Sequence, residues 1–238
     1  MININNIIKI EGLDLTINDN HILKNISCQL ESGKIVVMLG PNGSGKTTFL
    51  KTISGLYKKN GGDLIVNGKV ETQLEDVAMV FDEPVLYEEL TGNEHIKFIY
   101  ELSHGKLKLT DEEIKSLIDV LELNDYMGKL ISTYSLGTKK KLQFLCALVN
   151  KPKILLMDEY ISGLDPQVLY VVKKVMKNYV ENNNFIILST HMLDMAEKFC
   201  DEVMLVKEGG IIGNGAVGIR DILNEYKNLE NYYIKMMN

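Results

Sequence analysis

The sequence predicts an α/β fold interrupted by a helical insertion, on three observations. Short apolar runs separated by turn signals fill the first third of the chain. Between residues 91 and 150 the apolar spacing changes to the helical period. After Lys151-Pro152 the alternation of short apolar strands and amphipathic helices returns. The chain of 238 residues is 45% hydrophobic and 24% charged, which is long and apolar enough for a real core.

Element by element, Ile7–Ile10, Ile26–Leu30 and Ile35–Leu39 read as strands, with Glu31-Ser32-Gly33-Lys34 turning between the last two. A glycine-rich loop from Gly40 to Gly45 follows, then a helix from Lys46 to about Ser54. Gly61-Gly62-Asp63 and Asn67-Gly68 are read as turns bracketing a strand at Leu64–Val66, which suggests a hairpin. Val77–Val80 is a further strand. Thr110 and Glu113 have the spacing of a capping box, and Ile114, Leu117, Ile118 and Leu121 fall on one face behind it. Ile154–Met157, Phe185–Leu188 and Glu202–Val206 are strands. Gln167–Val180, Met192–Phe199 and Ile219–Tyr226 are helices, and the tail NYYIKMMN is read as extending the last of them. The expected organisation is one domain over residues 1–238. Residues 1–90 and 151–215 form its core, 91–150 a helical subdomain and 216–238 a helical tail.

Composition excludes several classes. Lys and Arg total 26 against 32 Asp and Glu, a net charge of −6, so no nucleic-acid partner is expected. No apolar run approaches the roughly 18–20 residues of a membrane span, and the N-terminal sequence lacks the pattern of a secretory signal. Cys28, Cys146 and Cys200 are widely spaced and form no CxxC pair, so they read as buried thiols of a reducing compartment.

Two motifs carry chemistry. Gly40-Pro41-Asn42-Gly43-Ser44-Gly45-Lys46-Thr47 fits G-x-x-x-x-G-K-[ST], between an apolar strand and a helix. Its glycines let backbone N–H groups surround phosphate oxygens, and the helix that follows points its positive end at the same anion. Lys46 would reach the β- and γ-phosphates, and Thr47 would offer its hydroxyl to Mg²⁺. The second motif is the apolar strand ending in Asp158-Glu159. Asp158 suits a Mg²⁺ ligand, and Glu159 could polarise an attacking water.

With YSLGTKKKL at 134–142, SGLD at 162–165 and STH at 189–191 added in order, the chain resembles the nucleotide-binding domain of ATP-binding cassette (ABC) transporters. The resemblance implies a P-loop NTPase core with an antiparallel β subdomain and an inserted α-helical subdomain. It implies ATP and Mg²⁺ as cofactors, with Thr48 joining the phosphate site. It also implies head-to-tail dimerisation with a second, identical or different cassette. Ser135 and Gly137 would then contact the γ-phosphate across the interface, and Asp165 would link the two sites. His191 matches the switch histidine that steadies Glu159. His21, His95 and His104 have no such support and are left as surface or core residues. Leu142, Leu145 and Leu148 read as core, and Lys139–Lys141 as a solvated face.

The chain departs from the family pattern in four places. The signature segment is Tyr134-Ser135-Leu136-Gly137-Thr138, a variant resembling those of small bacterial exporters for peptides, antibiotics or lantibiotics. Asp82 stands where Gln is usual and remains a hard oxygen ligand for Mg²⁺. Ile17 takes the place of the aromatic that stacks on adenine, with Tyr57 as a possible substitute. Tyr160 replaces the usual Pro after Glu159. The expected role is the ATP-hydrolysing subunit of a transporter, peripheral on the cytoplasmic face of the membrane. It would drive a separate transmembrane subunit through a loop at Asp82–Glu94, with Asp82, Glu83, Leu86 and Tyr87 as contacts. The alternative is a soluble ATPase of the same family serving a scaffold-assembly complex of the iron–sulfur type.

Overall fold

Why the chain folds into two sheets follows from where its strands are apolar on one face and where on both. The computed structural model describes residues 7–71, 76–102, 109–213 and 215–238. Strands β1 (Ile7–Ile17) and β2 (Asn20–Glu31) alternate buried and exposed residues, as half-solvated antiparallel strands do. They join β4 (Gly61–Val66) and β5 (Lys69–Glu71) in a four-stranded antiparallel sheet ordered β2-β1-β4-β5. By contrast β3 (Ile35–Leu39), β7 (Ile154–Asp158) and β8 (Phe185–Thr190) are buried at every residue. They pair in parallel with one another, with β6 (Val77–Val80) and with β9 (Glu202–Lys207). Two short strands, β10 (Gly210–Ile211) and β11 (Val217–Gly218), add to β9 in antiparallel, completing a seven-stranded sheet.

Period-two alternation divides the parallel strands between two cores. Ile35, Val37, Leu39, Leu155, Met157, Ile186 and Leu188 face the core shared with most of the helices. Val36, Met38, Ile154, Leu156, Phe185 and Ile187 face the antiparallel sheet and Phe49, Leu50 and Ile53 of α1 (Lys46–Ile53).

Helices α2 (Gly92–Leu102), α3 (Asp111–Val120) and α4 (Leu136–Leu148) lie between β6 and β7 in sequence. The Thr110 capping box is present: Glu113 N donates to Thr110 Oγ1 at 3.2 Å and Thr110 N to Glu113 Oε2 at 2.6 Å. Lys151 beside Glu113, together with the Thr110 amide, holds the Glu113 carboxyl below the usual range. Along α4, Leu142, Leu145 and Leu148 are core as expected. Helix α5 (Pro166–Glu181) starts on a proline, and α6 (Leu193–Phe199) and α7 (Ile219–Tyr226) follow the expected order.

Four local expectations are corrected. The first strand continues to Ile17, because Asn18 and Asp19 both take positive φ (46° and 64°) and make a tight hairpin with β2. Gly61–Asp63 belong to β4 and are not a turn. Asn67-Gly68, with φ of 49° and 81°, is the hairpin turn into β5. The tail is a separate helix, α8 (Leu229–Met237), broken from α7 at Lys227 (φ 71°) and capped by Asn228 Oδ1 accepting from Asn231 N. Finally, Lys140 and Lys141 are buried, at 1% and 7% exposure, so Lys139–Lys141 is not a solvated face.

The cysteines are free. Burial pushes the thiols of Cys28, Cys146 and Cys200 up to about 12. His95 is buried, His21 is exposed and paired with Asp14, and His104 lies outside the described residues. Among the described residues no helix is long and apolar enough to cross a membrane.

Candidate active site

Three neighbouring parallel strands, β3, β8 and β7, end side by side, with Leu39 opposite Thr190 and Asp158 opposite Ser189. Ligands of α/β sheets bind beyond such carboxyl ends. The loop after β3 reaches α1 through Gly43 and Gly45, whose φ of 78° and 106° suits glycine. A side chain at Gly40 would lie 2.2 Å from the Val206 carbonyl oxygen, so the loop cannot start with a larger residue. Lys46 is 6% exposed, and its Nζ donates to the Gly40 and Pro41 carbonyls at 2.7 and 3.2 Å. Burial lowers its pKa, an effect opposed by Glu159 and Asp158. Pro41, Asn42 and Gly43 form the exposed rim, while Thr47 and Thr48 stand half-buried on the first turn of α1.

The residues fit a nucleotide phosphate. Ser44 Oγ is buried without a hydrogen-bond partner among the described residues, and a buried hydroxyl wants one. It sits in a loop whose next residues begin a helix, where an anion is favoured. A divalent cation fits as well. Thr47 Oγ1 donates to Asp158 Oδ1 at 2.8 Å, and Ser189 Oγ donates to the same oxygen at 2.6 Å. Among the described residues no cluster of three metal-ligating side chains exists. Mg²⁺, which takes one or two protein oxygens and completes its shell with water and phosphate, suits that sparse set.

Glu159 follows directly. Its N–H donates to Ser189 O and to Ser189 Oγ, both at 3.1 Å, and its φ is 49°. His191 Nδ1 lies 3.0 Å from Glu159 Oε2, Ser162 Oγ donates to the same oxygen at 3.2 Å, and Lys46 Nζ is 3.8 Å from Oε1. The expected pair Glu159 and His191 is therefore brought together beside the phosphate loop. Ser162 is a contact that sequence reading missed.

The other expected residues lie elsewhere. Ser135 is the N-cap of α4, its Oγ accepting from Thr138 N at 3.2 Å. It is exposed, next to Leu136 at 55% exposure. Asp165 caps α5, its Oδ1 accepting from Gln167 N and Val168 N at 2.9 and 3.0 Å. A side chain at Gly137 would come within 3.7 Å of Asp165 Oδ2, so the two are neighbours. Asp82 pairs with Lys140. Its Oδ1 accepts from Lys140 Nζ at 2.9 Å. Tyr160 is fully buried, its hydroxyl donates to Lys140 O at 2.9 Å, and its ring centroid lies 5.7 Å from that of Phe144.

Gly209 is a second contact of the site that sequence reading missed. Its N–H donates to Ser44 O at 2.9 Å and its carbonyl accepts from Lys24 N at 2.8 Å. It thereby stitches β2, and with it the hairpin tip carrying Ile17, to the phosphate loop. Its φ is 84°, and an added Cβ would lie 2.2 Å from the Ile22 carbonyl oxygen. Gly209→Ala is expected to destabilise the fold by about 1–3 kcal/mol and to loosen nucleotide binding in the folded fraction. Thermal unfolding and nucleotide titration check it; unchanged values for both would remove Gly209 from the site. Tyr57, by contrast, is engaged by Lys51, whose Nζ lies 5.6 Å from its ring centroid. It lines a cleft of about 440 Å³ with Thr52, Lys58 and Val70.

The family pattern described as ABC transporter matches residues 23–162, more than half the chain. The chain belongs to the ABC transporter family. An uncharacterised ABC transporter ATP-binding protein of Bacillus subtilis, YdbJ, is 34% identical over 211 residues, which cover 86% of this chain and 68% of that protein. The lantibiotic transport ATP-binding protein SrtF of Streptococcus pyogenes is 28% identical over 207 residues, covering 86% and 89%. A solved ATP-binding subunit of an ABC transporter superposes with a TM-score of 0.83 at 26% identity, over 98% of this chain and all of that one. The chain is an ABC ATPase cassette, the ATP-binding subunit type of transporter systems. The fold is the expected α/β core with an antiparallel sheet and helices.

Proposed function

We propose that this ABC cassette hydrolyses Mg-ATP within a head-to-tail dimer and thereby drives a separate transmembrane subunit from the cytoplasmic face of the membrane. The observation that carries the catalytic part is the meeting of two pairs at the mouth of one phosphate loop, Thr47 with Asp158 and Glu159 with His191. Residues 40–48 hold the phosphates, with Lys46 and the α1 N-terminus countering their charge. Mg²⁺, when bound by Thr47 and Asp158, supplies charge neutralisation at the phosphate oxygens. Glu159 orients water and accepts its proton, and His191 fixes the carboxylate.

Exposed Ser135 and Leu136, at the N-terminus of α4, support a partner cassette closing there. Exposed Val85 and Tyr87, at 72% and 56%, support a transmembrane partner on the loop that also holds Asp82, Glu83 and Leu86. Val85 extends the set that sequence reading proposed. The names of relatives such as SrtF favour transport over scaffold assembly. Co-purification tests this: a multi-span protein retained only in detergent supports the transport reading, and a stable soluble partner without detergent replaces it.

Base recognition follows from Ile17, half-buried at the end of β1 on the hairpin stitched to the phosphate loop. An aliphatic cover buries a base but lacks the stacking worth about 1–3 kcal/mol in nucleic-acid complexes. GTP is therefore expected to be hydrolysed at a rate comparable to ATP, and Ile17→Tyr to tighten ATP binding. Calorimetry on both proteins decides. A wild type favouring ATP about a hundredfold, roughly 2.7 kcal/mol, with no gain in the variant, would show that another residue reads the base.

A further inference from the structure

Lys140 stands on the inner face of α4, almost wholly out of water, and its Nζ meets three acceptors. They are Asp82 Oδ1 at 2.9 Å, Tyr160 O at 3.1 Å and Ser162 O at 2.7 Å. An ammonium has three donors, so all three are used. A buried charge persists only when paired, and Asp82 supplies the anion from a loop whose carboxylate is otherwise half in solvent. Tyr160 returns the contact through its hydroxyl to Lys140 O. The corner at residues 160–162 is thus pinned to α4 from both sides. That corner follows Glu159, whose positive φ is a conformation that a non-glycine residue keeps only when its surroundings enforce it. Ser162 continues the path, its backbone carbonyl on Lys140 and its Oγ on Glu159 Oε2.

From this geometry we infer that Lys140 is a positioning residue for hydrolysis, a strut tying the Asp82 loop to the corner that aims Glu159. Displacement of that loop by whatever docks on it is then transmitted to the carboxylate through Lys140 and Ser162. The inference rests on the reading of Glu159 as the residue that activates water. Neighbouring Lys139 pairs with Glu88 and is not bonded to the corner, so it serves as a control.

The test is steady-state Mg-ATP hydrolysis and nucleotide affinity of the full chain for Lys140→Met, Lys140→Gln, Asp82→Asn and Lys139→Met. For Lys140→Met, kcat should fall at least about tenfold while KM and Kd stay within about twofold, because misplacing a catalytic group slows chemistry without loosening the phosphate loop. Lys140→Gln should recover part of the loss, since an amide can still donate to a corner carbonyl. Asp82→Asn should lower kcat in the same direction. Added to Lys140→Met it should cost nothing further, which separates the strut from an independent metal-ligand role of Asp82. Lys139→Met should match wild type. If kcat of Lys140→Met is unchanged, or if kcat and affinity fall together, the strut is overturned. Where Lys140→Met fails to fold, a normal kcat for Asp82→Asn overturns it equally. Glu159→Gln is measured in parallel. Full turnover there removes the role of Glu159, whereas an inactive Glu159→Gln beside a normal Lys140→Met removes only the strut.

Discussion

Glu159→Gln is expected to bind Mg-ATP about as tightly as wild type and to hydrolyse it at least about a hundredfold more slowly, the range set by loss of a general base. The amide keeps the shape of the side chain and can still meet His191 Nδ1 and Ser162 Oγ, which lie 3.0 and 3.2 Å from Oε2. It cannot take a proton from water. It also removes the negative charge 3.8 Å from Lys46 Nζ, so that carboxylate no longer competes with phosphate for the ammonium. Affinity should therefore hold or improve, and a long-lived ATP-bound dimer should accumulate. Steady-state turnover, nucleotide titration and size-exclusion chromatography with Mg-ATP measure the three effects. Turnover within about threefold of wild type, roughly 0.7 kcal/mol of barrier, would sink the assignment.

Ser135→Arg is expected to abolish hydrolysis while sparing the affinity of the chain's own phosphate loop. Ser135 is exposed, so a large side chain there disturbs little of the monomer beyond the N-cap of α4, a loss of about 1 kcal/mol. In the proposed dimer the same cation would stand between the signature segment and the partner's nucleotide. Nucleotide binding by the monomer and ATPase activity should therefore separate. A collapse of affinity alongside activity would mean that Ser135 acts within its own subunit, and the head-to-tail arrangement would have to be abandoned. Combined with Glu159→Gln, the substitution should also prevent the ATP-dependent dimer, which size-exclusion chromatography reads directly.

The parts that local sequence determined share one physical cause: short-range geometry. The phosphate loop is legible because its glycines, Lys46 and Thr47 are contiguous and lie between a wholly apolar strand and a helix. The capping box at Thr110 and Glu113 and the Asn67-Gly68 hairpin are legible for the same reason, since each motif closes within four residues. The apolar run Ile154–Met157 is legible as a buried strand because no residue in it favours water. The Asn18-Asp19 turn escaped notice because it lacks glycine, yet both residues tolerate positive φ.

What only the tertiary structure decided is where distant residues meet. A run of three lysines looks solvated because charge favours water. Lys140 is buried nonetheless, because Asp82, 58 positions away, and two backbone carbonyls replace its hydration. Tyr160 looks like an arbitrary departure until its hydroxyl finds the Lys140 carbonyl. Gly209 looks like a turn until its two hydrogen bonds join β2 to the phosphate loop. The pairing of His191 with Glu159 was inferred from resemblance, but its 3.0 Å contact exists because β7 and β8 are neighbours that end together. Local motifs specify which groups are the candidates for phosphate chemistry. The parallel sheet, by fixing which strand ends lie side by side, decides which of those groups meet.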